Sequence, residues 1–144
     1  MAALALIVAL AAQTAEPAVP PSAIEGVWRS PGGNSIMKVA PCGDSPCGTV
    51  AWASDKAKRD SSKTTNQLVG TQLLTHLELR KDGSWVGKLF IPDKNMRVTA
   101  KIQRIDSGRL KVSGCAAGKS LCKAAVWTAF SADLPTDTSL HAPK

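Results

Sequence analysis

Four cysteines stand in two short pairs, Cys42/Cys47 and Cys115/Cys122. Close pairs behind an apolar leader are the pattern of local disulfides in an exported, oxidised protein. Cys42 and Cys47 enclose Gly43-Asp44-Ser45-Pro46, which is turn chemistry. Cys115 and Cys122 enclose Ala116 to Leu121, with Gly118 central. Each pair needs only a tight turn to reach bridging distance, so the expected connectivity is Cys42–Cys47 and Cys115–Cys122. Zinc binding finds no support: the spacings match no common zinc pattern, and His76 and His141 are the only imidazoles. No Cys-x-x-Cys redox pair occurs. No metal site and no cofactor are expected.

The other chemistry-bearing groups are carboxylates, an amide and indoles. Asp55, Asp60 and Asn66 are the polar candidates of a long loop, residues 54–70. Paired carboxylates can act as general acid and base, or hold a cation. Lys56, Lys58, Arg59 and Lys63 crowd the same loop and oppose a strong calcium site, so a solvated loop is the simpler reading. Asp93 and Asn95 read as turn formers, and His76 stands alone on a strand. No Gly-x-Ser-x-Gly elbow and no Gly-rich phosphate loop ahead of a helix is present. No catalytic residue is therefore assigned. Trp28, Trp52, Trp85 and Trp127 fall one to a strand and, with two Phe and no Tyr, are most of the aromatic content. Indoles bring large apolar area and a polar N–H. They can form a barrel plug and core, or line an apolar ligand cavity.

The elements that must position these residues are β-strands. Met96, Val98, Ala100 and Ile102 alternate with Arg97, Thr99, Lys101 and Gln103, as a half-buried strand requires. Leu73, Thr75, Leu77 and Leu79 alternate with Leu74, His76, Glu78 and Arg80. Asp82-Gly83 is a strong hairpin signal, and Pro92-Asp93-Lys94-Asn95 and Asp106-Ser107-Gly108 are longer turns. The spacing predicts strands near 25–30, 35–41, 47–53, 71–81, 84–91, 96–105, 109–115 and 122–130, with a short helix within Lys56–Ser62. Sequential antiparallel strands joined by hairpins tend to close into an all-β, eight-stranded up-and-down barrel, which removes exposed edges. A two-sheet sandwich is the alternative fold. An eight-stranded barrel either fills its lumen with side chains or holds one small ligand.

Flanking segments complete the organisation. Ala2 to Ala12 is an unbroken apolar run, far shorter than the roughly 20 residues of a membrane span. It reads as a signal peptide over 1–15, although no Lys or Arg precedes it. Residues 16–24 read as a linker, 25–130 as one domain and 131–144 as a flexible tail. Lys and Arg number 18 against 11 Asp and Glu, a formal charge of +7. That excess favours anionic surfaces or polymers, or simply keeps the domain soluble. Nucleic acid is not expected, because basic residues are not interleaved with exposed aromatics on one face.

In order and spacing these segments resemble a known family. They are Gly26-Val27-Trp28, Pro41-Cys42, Cys47-Gly48-Thr49-Val50-Ala51-Trp52, Leu68-Val69-Gly70-Thr71, Trp85-Val86-Gly87, Phe90-Ile91-Pro92-Asp93, Leu110 to Cys115, Leu121-Cys122-Lys123 and Trp127-Thr128. The chain is similar to the small exported bacterial proteins of domain-of-unknown-function family 2147 over about residues 25–130. The resemblance implies a calycin-like (lipocalin-type) barrel and no established activity. Two departures stand out. Asn66 is followed by Gln67 rather than Pro, and Trp127-Thr128 by Ala129 rather than Arg. In lipocalin-type barrels a basic side chain near the last strand can cover the opening tryptophan; Lys123 is the candidate substitute here.

The expected function is non-enzymatic: a periplasmic or secreted barrel that binds a small apolar or amphiphilic molecule or an envelope component. Trp28, Trp52, Trp85, Trp127, Asp55, Asp60 and Asn66 are the candidate ligand-binding residues. An envelope interaction module with a cationic exterior, meeting an anionic polymer or partner protein, is the second expectation. A hydrolase or isomerase built on Asp55 or Asp60 is the third.

Overall fold

The computed structural model describes Pro20, residues 22–116 and residues 121–130. The expected signal peptide and tail lie outside these residues. Eight strands follow in chain order: β1 (Gly26–Arg29), β2 (Ser35–Cys42), β3 (Ser45–Ala53), β4 (Gln72–Leu79), β5 (Trp85–Ile91), β6 (Met96–Asp106), β7 (Arg109–Ala116) and β8 (Leu121–Ala129). Each pairs antiparallel with the next, and β8 returns to β1 through Trp28↔Ala129 and Arg29↔Thr128. The sheet is thus a closed barrel and not a sandwich, as the run of hairpin turns requires.

Alternation places the core. On β6, Val98, Ala100 and Ile102 are buried, while Arg97, Thr99 and Lys101 between them are exposed. Leu110 and Val112 of β7, Met37 and Val39 of β2 and Val50 of β3 complete the buried lining. The hydrophobic face of each strand turns inward because the barrel wall is the one place where every strand can bury its apolar side.

Bulges interrupt the pattern in β3 and β4. Register shifts between Ile36 and Met37 where β2 meets β3, so Val50 pairs with Met37 and Trp52 with Ile36. On β4 the register shifts between Thr75 and Glu78, with His76 at φ 54°. The alternating face Leu73, Thr75, Leu77, Leu79 is therefore broken: Leu73, Leu74 and Leu77 are buried and Leu79 is 54% exposed. Gly87 makes this bulge fit. A Cβ there would lie 2.6 Å from the Thr75 carbonyl oxygen and 2.8 Å from that of His76, so only glycine lets β5 approach so closely.

Both expected disulfides are formed, Cys42–Cys47 and Cys115–Cys122. The first ties the β2–β3 hairpin and the second joins directly opposed residues of β7 and β8. Each pins a hairpin register. The long loop contains one helix, α1 (Asp55–Asp60), with Ser54 as N-cap accepting from the Ala57 N–H at 3.1 Å. The chain then returns to the barrel through Leu68, 6% exposed, and a hydrogen bond from the Gly70 N–H to the Val50 carbonyl.

Candidate functional site

The two ends of the barrel differ. One end, where β1 starts and β6 finishes, is closed. Trp28 is 1% exposed and its indole N–H donates to the Ile24 carbonyl at 3.0 Å. Ile24 itself is fully buried, so the last residues of the expected linker belong to the plug. Trp85, also at this end, donates to the Ser22 carbonyl at 3.0 Å. The Arg104 guanidinium carbon lies 4.9 Å from the Trp28 ring centre, and its nitrogens donate to the carbonyls of Ala23, Asp106 and Ser107. Arg104, and not Lys123, is the cation over the opening tryptophan. Its signal was present in the sequence: the period of two through Val98, Ala100 and Ile102 continues to Arg104 and places it on the inward face.

The other end is open. A cavity of about 650 Å³ enters the lumen there, within the size of small-molecule sites. Its floor includes Met37 and Leu74, and its walls include Leu89, Val98, Val112 and Trp127. Small residues leave the space. Gly48 makes room for Met37, since a Cβ would meet the Met37 sulfur at 2.7 Å. Gly114 faces the lumen, where a Cβ would meet Val98 Cγ2 at 3.0 Å and Leu89 Cδ2 at 3.7 Å. Lys94 and Lys123 are the charged residues lining the cavity among the described residues, and both are exposed. Lys94 closes the 3-10 turn Pro92–Lys94, which Asn95 caps in the left-handed conformation.

The sequence-nominated residues separate accordingly. Trp127 alone of the tryptophans lines the cavity. Trp28 and Trp85 belong to the closed end. Trp52 is half-buried, and the β3 bulge sets it opposite Ile36, off the inward face that Val50 and Ala53 occupy. Asp60 is paired with Lys56 at 2.7 Å, an exposed i,i+4 contact of α1. It lines a neighbouring recess of about 190 Å³ together with Asp93. Asp55 and Asn66 are exposed and border neither cavity nor recess. The loop polar residues are thus not gathered at the lumen. Among the described residues no group of three or more His, Cys, Asp or Glu could hold a metal ion. Sequence reasoning missed most of the lining, Met37, Leu74, Leu89, Gly114 and Lys94 in particular, although the strand alternation already marks several as inward.

Perturbed carboxylates lie away from the cavity, in hairpin turns of the closed end. Asp82 is lowered to about 2, first by the Ser84 hydroxyl, then by the Ser84 backbone N–H, with Lys101 adding to both. Those hydrogen bonds measure 2.6 and 2.9 Å, and the Lys101 ammonium is 3.2 Å away. Asp106 is lowered chiefly by the Arg109 side chain and the Gly108 N–H. Their bonds satisfy turn groups and do not mark an acid–base site.

No curated protein and no solved structure matches the chain. A family model described as an uncharacterized protein conserved in bacteria, DUF2147, matches residues 26–129, from the first residue of β1 to the last of β8. That span is the barrel wall, and the chain belongs to the DUF2147 family.

Proposed function

We propose that this protein is a non-enzymatic binding protein that holds one small apolar or amphiphilic molecule in its lumen. The observation that carries this reading is the one-ended cavity of about 650 Å³ with an apolar wall. An apolar wall of that extent left against water is unfavourable, because its surface stays hydrated until something apolar covers it. The plug of Trp28, Ile24 and Arg104 makes the lumen a pocket and not a channel. Two disulfides and the apolar leader support an exported, oxidised setting for this binding. Calorimetric titration with medium-chain alkyl compounds tests the reading. Saturable one-to-one binding, abolished by Gly114→Leu at unchanged folding, is the expected result; binding that survives the filled lumen refutes it.

A second reading has its own observation. The outer face of β5 to β7 carries Lys88, Arg97, Lys101 and Lys111, and Asp82 pairs with Lys101. Such a face suits an anionic polymer or an acidic partner. Salt separates the two: screening abolishes surface attachment and spares apolar binding in the lumen.

A further inference from the structure

Two lysines reach the mouth from separate elements. Lys94 ends the turn between β5 and β6, and Lys123 lies near the start of β8. Among the described residues neither takes part in an ion pair, and no carboxylate lines the cavity beside them. The nearby Asp93 borders the adjoining recess instead. Below the lysines the wall turns apolar, with Leu89, Val98 and Val112 leading to Met37. The lining follows β8 from Lys123 to Trp127, roughly 13 Å at a strand rise of about 3.3 Å per residue. That is the reach of a medium-chain alkyl tail.

We infer that the ligand is a single-chain amphiphile with an anionic head group, its tail in the lumen and its head between Lys94 and Lys123; this rests on the lumen being a ligand cavity. The physical grounds are polarity and sign. A buried head group would lose its hydration without a compensating charge, since Lys94 and Lys123 at the mouth are the charged residues of the lining among the described residues. At the mouth the head stays hydrated while two ammonium groups compensate its charge. Lysine suits this role: its flexible stem can lie along the apolar rim while the charged tip stays in water. A cationic head would meet two like charges, so the same pair selects against it.

Three probes with one tail and different heads test the assignment: dodecanoate and dodecyltrimethylammonium, each below its micelle concentration, and dodecanol below its solubility limit. Dodecanoate is expected to bind about tenfold more tightly than dodecanol, the combined effect of two exposed charge pairs. The cationic probe should bind most weakly. The variant Lys94→Met with Lys123→Met should bring dodecanoate to the dodecanol level and leave dodecanol unchanged. Both residues are exposed, and an unaltered melting temperature confirms that the variant folds. Equal binding of all three probes, or a head-group preference that survives in the double variant, overturns the assignment and leaves the lumen reading in place. Binding of none of them overturns both.

Discussion

Replacing Trp28 by Phe removes the indole from the closed end and keeps a six-membered ring. Two losses follow from the geometry. The Ile24 carbonyl, beside a residue with no solvent exposure, loses its 3.0 Å donor, which costs about 1–3 kcal/mol. The Arg104 guanidinium, 4.9 Å from the ring centre, keeps only a weaker aromatic partner, a loss of about 0.5–1 kcal/mol for a half-exposed cation. Together these come to about 1.5–4 kcal/mol, against about 5–15 kcal/mol for a whole domain. Urea denaturation with the disulfides intact measures this directly from the shift in midpoint at constant slope. A double-mutant cycle with Arg104→Met isolates the advantage of indole over phenyl as the guanidinium's partner, expected at about 0.5–1 kcal/mol. Coupling indistinguishable from zero, with both single variants destabilised, would refute the clamp. It would leave Arg104 as an anchor for the Ala23, Asp106 and Ser107 carbonyls alone.

Other consequences are local. Gly87→Ala should destabilise by about 1–3 kcal/mol, because its Cβ meets backbone oxygens at 2.6 and 2.8 Å that cannot rotate away; thermal unfolding reads the loss, and an unchanged midpoint would mean the β4 bulge is pliable. Asp82→Asn should lower stability at neutral pH. The native group is held at about 2, below its unfolded value, so its contribution is present above that unfolded value and disappears as pH falls towards 2. Melting curves of the two proteins should therefore converge in acid, and a constant gap down to pH 2 would count against the Ser84 contacts. Replacing Cys115 and Cys122 together by Ser should cost roughly 2–2.5 kcal/mol, the chain-entropy value for so short a loop. It should also weaken lumen binding, since that bridge pins the hairpin beside Lys123.

The barrel was legible in the sequence because its turns are chemically explicit. Asp82-Gly83, Pro92 to Asn95 and Asp106 to Gly108 mark hairpins, and alternation in 96–102 states which side faces in. The closely spaced cysteines likewise left one simple pairing. Bulges were not legible. An extra residue in β3 turns Trp52 away from the inward face, and His76 at positive φ moves Leu79 to the surface; neither is announced by residue type. Tryptophan identity alone did not separate a plug from a cavity wall, because Trp28 and Trp127 lie on adjoining strands, Trp28 opposite Ala129 and Trp127 two residues before it. Arg104 shares the parity of Ile102, so its place over Trp28 was legible in the alternation, although a charge at an inward position gives no hint of its partner. The loop carboxylates drew attention by their chemistry, yet their positions follow α1 and its Lys56–Asp60 pair, which serve the loop itself.

The proposed function stands or falls with a ligand in the lumen. Fluorescence quenching by dodecanoate carrying bromine at its tail tests it most directly, because Trp127 lines the cavity while Trp28, Trp52 and Trp85 do not. The wild type should show saturable quenching at one equivalent, and Trp127→Phe should lose most of it with affinity for unlabelled dodecanoate little changed. Quenching of equal depth in Trp127→Phe, or none that saturates in the wild type, would place the ligand elsewhere and contradict the account.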